Sequence, residues 1–258
     1  MALMIVRPQK DTILKLAEAE KGLYDVNHIY EPEFHQSVYV DACNETMKIS
    51  GAFQVGDLKL LEKPIERGMQ PKYIDDDNDP ESLLFEGMVL NDGTRLENDD
   101  NANVCALKSN CIRSGYIDTS LARSVSREFY EKNKKKAGVQ KNDILINSTG
   151  DGTIGRVAVY NYDFPAVVDG HITIVRYKNY KLAWYIAAFL MTKPGQNQIY
   201  RYINGSSGQV EIYPQDIARI WIKPADEAHI KNVYNTFHDA CEKHDQFYRD
   251  LKAALNNV

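Results

Sequence analysis

The spacing of apolar and polar residues changes several times along the chain, and each change marks an element. Residues 10–21, "KDTILKLAEAEK", set Ile13, Leu14, Leu16 and Ala17 on one side of a short amphipathic helix that Gly22 would end. From Tyr24 to Phe53 neither the helical nor the strand period prevails. "VGDLKLLEKPIERGMQPKY" is then interrupted by Pro64, Gly68 and Pro71. Residues 75–100 read as a long exposed acidic insertion, with a short strand at "LLFEGMVL" and a turn at Asn91-Asp92-Gly93.

From Val104 the pattern is rich in strands. "VCALKS" and "YIDTS" flank a turn at Arg113-Ser114-Gly115. "SREFYEKNKKKAG" predicts a short basic helix ending near Gly138, and "DILINS" a buried strand. "GRVAVYNYDF" and "HITIVRY" predict two more strands. "KLAWYIAAFLMT" is apolar on nearly every side, as a buried helix is, and stops at Lys193-Pro194-Gly195. A second helix, "QNQIYRYI", follows; "NGSSGQVEI" is a loop entering a strand, and "ARIWIKP" is the last strand. Together these elements predict an α+β fold.

The final 33 residues follow another rule. Ile230, Tyr234, Phe237, Cys241, His244, Tyr248, Leu251 and Leu255 alternate spacings of four and three, a heptad seam on one long helix. A helix with one apolar stripe packs on its own domain or on a partner helix, and the narrowness of this stripe favours a partner. His244 reads as a polar residue that sets register rather than as a metal ligand.

The charge is uneven. The net value is −5. Residues 75–100 hold ten acids against Arg95, whereas residues 101–225 hold seventeen Lys and Arg against nine acids. Affinity for a polyanion depends on a local patch, so the acidic total does not exclude nucleic acid. No apolar run reaches the length of a membrane span, and "MALMIVRPQKD" is too briefly apolar for a signal peptide. The four cysteines form no C-x-x-C pair and read as reduced thiols of a cytoplasmic protein.

Gly150, Gly152 and Gly155 spell G-x-G-x-x-G, the form of a dinucleotide-binding fingerprint. That fingerprint needs a helix at the glycines, because helix N-terminal amides hold the pyrophosphate. Here Arg156 and Ala158 alternate with Val157 and Val159, which is strand period, and Asn161, Asp163 and Pro165 break any helix. Asp169 stands where a ribose-binding acid would, but Asp169-Gly170 is a turn signal. The glycines therefore predict a tight strand-to-strand loop that a ligand's backbone can approach closely. No P-loop, H-E-x-x-H or G-x-S-x-G is present, the acids lack calcium-loop spacing, and His238 and His244 do not share a helix face. The expectation is a protein with no catalytic residues, no metal site and no cofactor of its own.

"ERGMQPKY", "LKSNCIRSGYID", "KNDILINSTGDGTIGRVAVY", "GHITIVRY" and "GQNQIYRYINGSSGQVEIYPQDIARIWIKP" follow one another in an order that resembles a known module. The module is the target recognition domain of the specificity subunit of type I restriction-modification systems. The resemblance covers about Gly68 to Pro224 and continues into a C-terminal helix like that family's spacer helix. It implies a mixed, strand-rich recognition domain with short helices, followed by a coiled-coil-type helix. It also implies reading of double-stranded DNA in service of a DNA methyltransferase subunit and a motor-nuclease subunit. S-adenosylmethionine, ATP and magnesium would then reside on those partners.

The chain departs from the family pattern in having room for one recognition domain, which implies a half-subunit that dimerises through the seam. The corresponding division is an N-terminal segment at 1–60, a recognition domain at 61–225 and a helix at 226–258. Candidate DNA contacts are Tyr73, Lys108, Arg113, Tyr116, Ser148, Thr149, Gly150, Gly152, Arg156, Arg201, Ser206, Ser207 and Gln209. Lys and Arg would hold phosphates or guanine, and Gln would hold adenine. Blander roles stay open for some of them: Ser148 and Thr149 as turn caps, and Arg156 as a partner of Asp143 or Asp151. The same module in another methylating restriction or phage-defence complex, and a protein-interaction module that binds no DNA, are the alternatives.

Overall fold

The computed structural model describes residues 32–74, 83–97, 102–205 and 210–258. The helix expected at 10–21 lies outside them. The architecture is α+β, with two four-stranded sheets stacked face to face and helices on both outer sides.

The first sheet has the order β2-β9-β6-β7, formed by β2 (Glu66–Arg67), β9 (Ile172–Val175), β6 (Ile144–Asn147) and β7 (Val157–Val159), all antiparallel. The second has the order β4-β3-β8-β5, formed by β4 (Arg123–Val125), β3 (Val104–Leu107), β8 (Ala166–Val168) and β5 (Gly138–Val139), with β3 parallel to β8. Strand alternation sorts the side chains. Ile144 and Ile146 of β6 face one core with Trp184, Ile186 and Leu190, while Leu145 faces the space between the sheets with Cys105, Leu107, Ala166 and Val168. Val104, Ala106 and Val167 point the other way, under Phe129 and Tyr130. Those two rings belong to the basic helix α2 (Arg127–Ala137), whose N-cap Ser126 Oγ accepts from Phe129 N at 3.1 Å.

Preceding these sheets, α1 (Ser37–Met47) lies in the stretch where neither period prevails. It packs on α4 (Lys193–Arg201), and β1 (Phe53–Gln54) pairs with β10 (Trp221–Ile222). Phe34 and Val55 thus share one core with residues near the other end of the chain.

The apolar run at 181–192 becomes α3 (Tyr180–Met191), capped by Asn179 Oδ1, which accepts from Lys181 N at 3.0 Å. Its Trp184 is fully buried and donates Nε1–H to Asn142 Oδ1 at 2.8 Å. A short helix α5 (Pro214–Ala218) leads into β10. The long helix α6 (Glu227–Asn256) starts at Asp226, whose Oδ1 accepts from His229 N at 2.7 Å.

Several expectations are corrected. "YIDTS" is not a strand: Asp118 accepts from Ser120 N and starts a single 3-10 turn at Thr119–Leu121. "LLFEGMVL" forms isolated bridges, Phe85 to Asn103 and Val89 to Arg95, rather than a strand. The described part of the acidic segment is also no solvated loop, because Phe85 and Val89 are buried, at 2% and 3% exposure.

A further correction concerns the seam. Ile230, Tyr234, Phe237 and Cys241 pack on the chain's own core rather than standing free for a partner. Trp184 meets Tyr234 and Phe237 edge-on with ring centroids 5.9 and 5.0 Å apart, and His244 lies 4.0 Å from the Tyr116 ring. The aromatic face of α3 supplies the surface that heptad spacing alone cannot locate. Farther along, Tyr248 is half-buried, while Leu251 and Leu255 are 43% and 65% exposed. The folded acidic segment grips this distal part: Arg95 pairs with Asp245, and Lys252 Nζ donates to Val89 O at 2.8 Å.

Candidate functional site

β3 and β8 run parallel and end side by side, and the segments that leave them meet the loop that leaves β6. Asn147 Nδ2, fully buried at the end of β6, donates to Ser109 O at 2.7 Å. Ser148 N donates to His171 O at 2.8 Å, and Ile212 N donates to Ser148 O at 2.9 Å. Four segments are thereby joined at one edge: 108–113, 148–156, 169–171 and the approach to 211.

The glycine loop is the most open of them. Gly150, Gly152 and Gly155 have φ of +92°, +78° and +81°, a region where a Cβ is strained. A Cβ at Gly152 would meet nothing within 4 Å, so backbone conformation rather than crowding requires glycine there. The loop is braced from within: Gly155 N donates to Asn147 O at 2.9 Å and Thr153 Oγ1 to Thr149 O at 3.2 Å. After Gly155 the chain enters β7, as the sequence period predicts, so no helix N-terminus stands behind the glycines.

Charged and aromatic groups gather around the neighbouring segment at 108–113. Arg123 lies 4.5 Å from the Tyr73 ring centroid and Lys108 Nζ 5.9 Å from it. Burial and then the charge of Asp169 push the Tyr73 phenol up to about 12, against a smaller opposing effect of Arg123, so it stays a hydrogen-bond donor at neutral pH. Asp169 is 3% exposed and accepts from His171 N at 2.9 Å and Ser109 N at 3.3 Å. Its burial raises the carboxyl above the ordinary value, and the two backbone donors and nearby cations offset part of that rise. His171 is exposed, with Nδ1 2.5 Å from Thr149 Oγ1.

Across the loop, Arg67 donates to Glu211 Oε2 at 2.9 Å and to Ile212 O at 2.7 Å, and it lies over the Tyr213 ring. Hydrogen bonds from Tyr213 and then Arg67 hold the Glu211 carboxyl below its usual range. This brace anchors the strand-like base, Asn204 paired with Glu211, of the segment that contains 206–209.

The expected contacts separate into groups. Tyr73, Lys108, Thr149, Gly150, Gly152 and Arg156 come together at this edge. Arg156 pairs with neither Asp143 nor Asp151; its guanidinium donates to Gly152 O at 3.0 Å, and Asp143 instead takes Arg176 in a two-point pair at 2.7 Å each. Arg113 is partly exposed and lies 3.8 Å from Asp118. Ser206, Ser207 and Gln209 lie outside the described residues.

Two candidates move off the surface, and a third, half-buried, is drawn to α6. Ser148 is fully buried and hydrogen-bonds Thr173 Oγ1. Arg201 is 1% exposed, donates to Phe34 O at 3.2 Å and stacks 4.3 Å over the Phe34 ring. Tyr116 packs on His244 of α6. Sequence reasoning missed His171, Arg67, Arg123 and Asp169. His171 was legible as the first residue after the Asp169-Gly170 turn; Arg67 and Arg123 carry no local signal.

No family model and no curated protein matches the sequence. Among solved structures, a chain described as the type IIG restriction endonuclease BpuSI superposes with a TM-score of 0.51 at 12% identity, over 87% of this chain and 30% of its own. The fold is one found in a restriction enzyme. A chain from a structure of a type I restriction-modification system aligns over 96% of this chain and 54% of its own, at 9% identity and a TM-score of 0.43. The chain thus spans about a third and about half of these two neighbours. Among the described residues, no helix is long and apolar enough to cross a membrane.

Proposed function

We propose that the chain is a non-catalytic DNA-recognition subunit that directs a type I restriction-modification methyltransferase, and through it a motor-nuclease, to a target sequence. The observation that carries this reading is the edge itself: an open glycine loop with Arg156 and His171 against it, joined to the segment where Lys108 and Arg123 meet Tyr73. The fold shared with a restriction enzyme supports it. Cations at a loop edge hold phosphates, and loop side chains on a rigid sheet read base edges.

In this reading the chain works in the cytoplasm. S-adenosylmethionine, ATP and magnesium belong to the partners. Two copies associate through the distal part of α6, where Leu251 and Leu255 are exposed. The type IIG neighbour favours a second reading, a recognition module working within another methylating restriction enzyme.

Tagging the chain in its native cell and identifying what it retains at moderate salt separates the two. Recovery of a separate DNA methyltransferase is the expected result. A methyltransferase fused to the same polypeptide supports the second reading. Retention of neither, with the chain well expressed, overturns both.

A further inference from the structure

The polar atoms of His171 are nearly all engaged. Its backbone N–H is taken by Asp169, its carbonyl accepts from Ser148 N, and Nδ1 is held by Thr149 Oγ1. The ring is exposed, and Nε2 has no hydrogen-bond partner among the described residues. Two loops therefore fix one imidazole on the outer edge of the site and leave one polar atom of it open. Fixed orientation of a polar group before binding is what selective hydrogen bonding needs, because the ligand then bears no ordering cost.

The state of that atom is tied to its neighbour. The tautomer in which the Thr149 hydroxyl donates to Nδ1 puts the ring hydrogen on Nε2. In that tautomer Nε2 is a hydrogen-bond donor to a ligand. We infer that His171 is a base-reading residue whose Nε2–H donates to a major-groove acceptor. Guanine, with O6 and N7 side by side, is the preferred base, and cytosine, which presents a donor, is rejected. The inference rests on the reading of this edge as the DNA-binding face. Thr149 acts as a positioning residue.

Enrichment of bound duplexes from a random-sequence pool tests it, using the full chain and its H171A, T149V and T149S variants. The wild type should enrich a motif with guanine at one fixed position. H171A should lose about 5- to 100-fold of discrimination at that position alone, with the preferences at the other positions of the motif retained. T149V should blur the same position and T149S should restore it. An unaltered motif from H171A overturns the inference and leaves the DNA-binding face standing. Failure of the wild type to enrich any sequence overturns that face, and the inference with it.

Discussion

Arg201 separates the structural account from the reading that periodicity suggests. By sequence it is a cation near a loop and a candidate phosphate contact; in the fold it is 1% exposed beneath Phe34. Among the interactions that alanine would remove, two are made with Phe34. One is a stacked cation 4.3 Å from the Phe34 centroid, worth about 2 kcal/mol when desolvated. The other is a charged hydrogen bond to Phe34 O, worth about 1.5–3 kcal/mol.

The expected loss is about 3–5 kcal/mol, a large part of the roughly 5–15 kcal/mol by which domains are stable. At about 2–4 °C per kcal/mol for a chain of this size, Tm should fall by about 6–20 °C. Thermal unfolding followed by circular dichroism measures it, beside DNA affinity at a temperature where the variant remains folded. An unchanged Tm with weakened DNA binding would refute the placement of Arg201 and restore it to the surface.

Other outcomes follow from the same geometry. Alanine at both Lys108 and Arg156 should weaken duplex binding and flatten its dependence on salt by about 0.9 log units for each phosphate no longer neutralised; full retention of the salt slope removes these residues from the interface. Asp169 titrates above 3.8 in the folded chain, so its contribution to stability is complete below that value and is lost as pH rises through the folded value. Wild type should therefore lose stability relative to D169N as pH rises above 3.8, and parallel melting profiles would contradict this. Gly93 has φ of +82°, and a Cβ there would lie 2.6 Å from Arg249 O. G93A should cost about 1–3 kcal/mol and speed hydrogen exchange in the last turns of α6; unchanged exchange would show that the acidic segment does not grip the helix.

Much of the frame was legible because its periods are long and its caps are local. "KLAWYIAAFLMT" could only be a buried helix, and Asn179 and Thr192 mark its ends. The strand after Gly155 followed from four alternating residues. Ser148 carried a usable signal: it continues the alternation of Ile144 and Ile146, which places it inward.

What stayed hidden depends on partners distant in sequence. Nothing near Arg201 announces that Phe34, 167 residues away, covers it. The α6 stripe reads the same whether its partner is another copy or α3, and only the fold supplies Trp184. Arg67 and Glu211, 144 residues apart, brace the loop through a pairing that no local pattern encodes.

Whether this edge reads sequence in duplex DNA is decided by binding of the wild-type chain to a random-sequence duplex pool, followed by sequencing of the bound fraction. One enriched motif is expected, with affinity that falls steeply as salt rises. Equal recovery of every sequence with no dependence on salt would contradict it and leave a protein-interaction module in its place.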